Sequence, residues 1–188
     1  VYALHAGLSA ALLTVLWRWQ GSHALRWSLA AGAVFGLGLS NHLTTIWLTP
    51  AVLTAWWGPA QTTPALRLRR AGSFAAGMAA GLAPYLYLVV AAAGDAPVNW
   101  AAPGAAHSLL WLISGELYRG YLFAVPLSLW PMRLAAWAAE LWHNLLPWGV
   151  AAAVWGFAVL ATLQRRLAIG WIASLLLGLI WALGYHTS

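Results

Sequence analysis

Residues 27–57, WSLAAGAVFGLGLSNHLTTIWLTPAVLTAWW, decide how this chain folds. The run is apolar for 31 residues, yet Arg26 stands before it and Arg67, Arg69 and Arg70 after it. One spanning helix needs about 20 apolar residues and two need about twice that, so the segment suits neither. Ser40, Asn41 and His42 sit at its centre, behind Gly32, Gly36 and Gly38, with Pro50 beyond. These features predict a helical hairpin of two half-helices, about 27–39 and 43–57, turning at Ser40–His42 inside the bilayer. Backbone at that depth is tolerated only where protein or a water-filled cavity covers it. A single tilted helix with a polar kink is the other reading of the same residues.

The rest of the chain supports a membrane setting. Of its 188 residues 63% are hydrophobic and 6% charged, and the mean hydropathy is +0.76. A soluble domain is about 25% charged, and one this small has too little interior for so much apolar surface. Soluble enzymes, disordered chains and disulfide scaffolds are excluded, the last by a cysteine count of zero. The charge of +6 and pI of about 10.6 do not point to nucleic acid. That reading needs clustered cations on a wet surface, whereas here no lysine occurs and the nine arginines edge apolar runs. The partner so implied is the lipid bilayer.

The arginines also sort the chain. Further apolar segments cover 1–19, 71–93, 145–163 and 167–185. Arg18 with Arg26, the trio Arg67, Arg69 and Arg70, and Arg165 with Arg166 fill three short connections. The positive-inside rule sets these in the cytoplasm. Arg119 and Arg133 fall in the segment 94–144, which holds all three acids, Asp95, Glu116 and Glu140. That segment is expected outside, with Trp17, Trp19, Trp27, Trp56 and Trp57 marking the inner interface. Trp100, Trp111, Trp130, Trp137, Trp142 and Trp148 mark the outer one. The predicted fold is all-α: a single polytopic transmembrane domain of helical spans with a half-helix hairpin and an outer interfacial helix. The small residues Ala75, Ala76, Gly77, Ala79, Ala80 and Gly81 suit close helix contact. The chain opens inside an apolar pattern with no initiator Met, which reads as an internal piece of a longer protein.

Polar chemistry concentrates in the outer segment. A short helix is expected over 105–117, and an amphipathic one over 131–146 with Arg133, Glu140 and Asn144 on its polar side. Glu116 and Arg119 lie three residues apart and share a helix face. They read either as an ion pair or as an anion-binding arginine beside an acid/base group. His42 in an apolar hairpin faces a cavity or a partner on cost grounds; His5 reads as structural. No histidine or acid spacing suits zinc or magnesium, so no metal site is expected.

Two stretches carry a resemblance. Val1-Tyr2-Ala3-Leu4-His5, with Gly36-Leu37-Gly38-Leu39-Ser40-Asn41-His42-Leu43-Thr44-Thr45, resembles a bacterial multipass family long labelled a domain of unknown function. That family is related to the eukaryotic transmembrane O-mannosyltransferase acting on plexin-type domains. Asn99-Trp100 and Ser114-Gly115-Glu116-Leu117-Tyr118-Arg119-Gly120-Tyr121-Leu122-Phe123 resemble its outer loop. The resemblance implies a GT-C glycosyltransferase in the inner membrane. Such an enzyme moves a sugar from a polyprenyl-phosphate donor to a protein or glycan acceptor on the periplasmic side, without a separate cofactor. Within that reading Arg119, one of two outer arginines and next to Tyr118, is expected to bind the leaving phosphate and Glu116 to orient it, both as catalytic residues, with substrate contacts expected from Asn41, His42, Asn99, Trp100, Tyr118, Tyr2 and His5. It further implies a catalytic acid in a loop ahead of Val1, so this piece alone is expected to be inactive. Ala101-Ala102 follow Trp100 where Gly-Asp is usual, and one acidic position is lost. A transporter with a broken-helix site, or a non-catalytic subunit, are the rival readings.

Overall fold

The computed structural model describes residues 2–22, 24–57, 63–94 and 106–186. Among them the chain forms eight α-helices, linked in places by 3₁₀ turns, and no strand. Helix α1 is Tyr2–Ser22 and α2 is Leu25–Asn41. His42 is extended, a 3₁₀ turn covers Leu43–Leu48, and α3 is Thr49–Trp56. Then come α4 (Pro64–Gly81), α5 (Pro84–Ala92), α6 (Ala106–Ile113), α7 (Trp130–Leu163) and α8 (Arg165–Gly184).

The chain reverses at His42, with two departures from the expected half-helix hairpin. Helix α2 has 17 residues, which at about 1.5 Å each is about 26 Å, close to a full span and not half of one. The returning limb changes from 3₁₀ to α at Thr49, where Pro50 occupies the first helical turn.

Glycine sets the closest contact in the bundle. Gly32 and Gly36 of α2 face Gly77 and Gly81 of α4, and a Cβ on any of the four would overlap backbone of the other helix. Two small-xxx-small motifs thus let the helix backbones touch, as small residues do at membrane helix interfaces. Two hydroxyls lock the same seam: Ser28 Oγ donates to Arg70 O at 2.7 Å and Ser73 Oγ to Leu25 O at 3.0 Å. A core of Leu12, Leu16, Trp19, Ala31, Phe35, Ala51, Val52, Ala55 and Leu167 joins α1, α2, α3 and α8. Trp19, expected at the interface, is 2% exposed and stacks on Phe74, so it belongs to this core.

Two helices, Arg165–Gly184 and the run Leu127–Leu163, are long and apolar enough to cross a membrane. A third span results if α4 and α5 are taken together across their 41° bend. The expected span 71–93 therefore starts earlier and is broken. Thr63 Oγ1 accepts from Leu66 N and Pro64 fills the first turn, so α4 begins ahead of the arginines and carries them. Pro84 then breaks the ladder at Leu82–Ala83. Helix α1 falls short of the apolar measure, because His5, Ser9, Thr14 and Arg18 dilute it.

Within α7, Leu146 leaves helical geometry at φ 57°, ψ 167°, just before Pro147. The residue before a proline is pushed away from α geometry. The break falls where the interfacial helix was expected to end and the span to begin.

Candidate functional site

The arginine-bearing helix ends meet at one end of the bundle. Gln20 Nε2 donates to Thr54 O and Gln164 Nε2 to Trp17 O, both at 3.4 Å, and the Ser28–Arg70 bond lies at the same end. Polar aromatic side chains gather at the other end. Tyr2 and His5 lie in the first turns of α1, and the His42 ring sits 5.8 Å from the first and 5.1 Å from the second.

A hydrogen-bonded chain runs through this cluster. Thr45 Oγ1 lies 3.4 Å from His5 Nδ1, and His5 Nε2 lies 3.3 Å from Thr44 Oγ1. Thr44 Oγ1 is in turn 2.7 Å from His42 Nδ1, which also accepts from Thr44 N at 3.3 Å. Because His42 Nδ1 accepts a backbone N–H, a neutral His42 carries its proton on Nε2. One direction then satisfies the chain. The Thr45 hydroxyl donates to His5, the His5 Nε2–H to Thr44, and the Thr44 hydroxyl to His42. The chain ends on a donor, His42 Nε2–H. Beside it, Asn41 Nδ2 is buried without a partner among the described residues.

The segment 106–129 docks on the same end. A Cβ on Gly115 would come within 2.7 Å of Leu43 Cδ1, the residue after His42, and Gly115 itself adopts φ 67°. Glycine is the residue that accepts both conditions. Glu116 then opens a 3₁₀ turn, Glu116–Tyr121, in which Arg119 Nη2 pairs with Glu116 Oε2 at 2.9 Å. Their side chains are 64% and 37% exposed, so the pair is held loosely and the guanidinium can change partners. His107, Trp111, Ser114 and Glu116 border a cavity of about 480 Å³ alongside.

The turn is tied down through the end of α8. His186 N donates to Tyr121 O at 3.0 Å, and the Tyr121 ring lies 6.0 Å from Tyr185 and 6.5 Å from His186. Burial above all, then the nearby Tyr118, Tyr121 and Tyr2 hydroxyls, hold the Tyr185 phenol above its ordinary range. Arg133 Nη2 donates to Ala182 O at 3.1 Å and Tyr185 O at 2.9 Å, capping the free carbonyls of α8. That commits one of the two outer arginines to structure and leaves Arg119 as the exposed one.

Of the residues singled out from sequence, Tyr2, His5, Asn41 and His42 meet at one turn. Tyr118, Glu116 and Arg119 lie on the adjoining 3₁₀ turn; Asn99 and Trp100 fall outside the described residues. His5, read from sequence as structural, is the middle of the hydrogen-bonded chain. Thr44, Thr45, Tyr185 and His186 were missed. The first two follow His42 directly, and an aromatic–histidine pair closing an apolar helix was a signal for the others. Among the described residues, no three His, Cys, Asp or Glu side chains gather around one point that could hold a metal ion. Comparison with protein families, curated proteins and solved structures finds no match for the chain.

Proposed function

We propose that this chain is the membrane domain of a GT-C-type glycosyltransferase that moves a sugar from a polyprenyl phosphate to a hydroxyl acceptor. The observation that carries the reading is a directed hydrogen-bond chain ending in a donor at His42, at the same bundle end as an exposed arginine. In sugar transfer the acceptor oxygen bonds to the anomeric carbon while the bond from that carbon to phosphate oxygen breaks. The acceptor proton passes to a carboxylate, and negative charge grows on the departing phosphate. Arg119 and His42 Nε2–H are donors of the kind that bind a phosphate more tightly as its charge grows, which lowers the barrier selectively. Glu116 orients Arg119 or the acceptor. The basic helix ends then face the cytoplasm and the His42 end faces outward.

The resemblance sets the proton-accepting acid ahead of Val1, so the assay uses the whole protein that contains this chain, in proteoliposomes with a polyprenyl-phosphate sugar. Consumption of the lipid-linked sugar on addition of acceptor is the expected result. Flux of a solute with the lipid-linked sugar intact would make the chain a transporter.

A further inference from the structure

A crevice of about 370 Å³ opens at the basic end, between α1, the second half of α7 and α8. Leu13, Trp17, Gly156, Leu160, Leu163 and Trp171 are among the residues that line it, and every lining side chain is aliphatic or aromatic. On α7 it extends from Ala153 to Leu163. Ten residues rise about 15 Å, half of a hydrocarbon core of about 30 Å. The crevice is one leaflet deep.

Its lower end is polar. The Gln164–Trp17 hydrogen bond closes it, and Arg18 and Arg165 follow those two residues, both exposed. Gln164 Oε1 and Trp171 Nε1–H are buried there without partners among the described residues. Water is a poor occupant of an apolar slot. A single hydrocarbon chain suits an apolar slot of this volume and depth, and an anionic head suits the arginines.

We infer that the crevice holds one acyl chain of an anionic phospholipid, with its phosphate at Arg18 and Arg165. The site lies at the opposite end from the His42 cluster and stands whether or not the chain transfers sugar.

Native mass spectrometry tests it, on the protein released from nanodiscs holding equal phosphatidylglycerol and phosphatidylcholine of matched chains. One phosphatidylglycerol per chain is expected, retained about thirtyfold over phosphatidylcholine, given two arginines near the headgroup. Gly156→Leu is expected to lose that lipid. A Cβ at Gly156 meets no atom within 4 Å, so the variant fills the crevice without disturbing the helix. The double variant Arg18→Gln, Arg165→Gln should retain the two lipids equally. Equal retention by the unmodified protein, undiminished phosphatidylglycerol on Gly156→Leu, or a second copy of the chain bound in place of lipid would each overturn the assignment.

Discussion

Gly32 of α2 lies so close to Phe74 of α4 that a Cβ on it would overlap the Phe74 carbonyl oxygen. Backbone cannot step aside as a side chain can. Gly32→Ala should therefore cost at the upper end of the about 1–3 kcal/mol typical of overpacking, and Gly77→Ala, facing Leu29 O, should match it. Gly72 in α4 has nothing within 4 Å, and Gly72→Ala there should gain about 0.5–1 kcal/mol. Thermal unfolding in detergent separates the two classes; equal effects would mean that α2 and α4 do not touch.

One side of that seam was legible in the sequence, since the small residues at 75–81 have a direct steric meaning, whereas Gly32 and Gly36 were read only as the approach to the turn. The reversal at His42 was legible as well, and so was the passage from interfacial helix to span at 145–146, although the proline that enforces it was not read. The start of α4 was not read, since Arg67, Arg69 and Arg70 looked like a loop while the Thr63–Pro64 signal ahead of them prevailed. Trp19 was misplaced for a related reason: tryptophan favours interfaces on average, and only packing against Phe74 reveals it as core. The joining of His5 to His42 through Thr44 and Thr45 depends on tertiary placement, which no spacing along the chain encodes.

Arg133 fastens the outer segment to the end of α8 through the Ala182 and Tyr185 carbonyls. Arg133→Ala leaves both without that donor and should cost about 1–3 kcal/mol. Hydrogen exchange should then rise first over 121–133 and 182–186, ahead of the α2–α4 seam. Uniform loosening of the whole bundle would deny Arg133 this local role.

His42 caps the 3₁₀ turn that follows it by accepting from Thr44 N. Asparagine caps well and alanine does not, so His42→Ala should lose about 0.5–2 kcal/mol while His42→Asn stays near the parent. His42→Asn keeps an acceptor for Thr44 but moves the terminal donor off the Nε2 position, however, and in the whole protein it should lower sugar transfer by about 10²–10³ at unchanged melting temperature. Full activity in His42→Asn would remove the ring from the mechanism.

Leu146 carries a positive φ with extended ψ, a combination that glycine accepts and leucine resists. Leu146→Gly should raise stability by relieving part of the about 1–3 kcal/mol that such a conformation costs. The test is a melting curve beside that of Leu141→Gly, which lies inside the first half of α7 and should fall. If both fall alike, no turn separates the two parts of α7.

Arg119 and Glu116 pair at 2.9 Å on an exposed 3₁₀ turn, and a pair so open to water adds little to stability. Arg119→Gln should leave the melting temperature unchanged, because Glu116 returns to solvent at no cost of burial. The same substitution removes the cation proposed to gather charge from the departing phosphate. Losing one such donor costs about 10²–10³ in kcat, so transfer from the polyprenyl-phosphate sugar should drop by about that factor. The KM for the donor should change far less, since the contact strengthens mainly as the bond to phosphate breaks. Glu116→Gln frees Arg119 without removing it and should weaken transfer less. A loss confined to KM would make Arg119 a binding residue, and no loss at all would return the pair to a surface ornament of the turn.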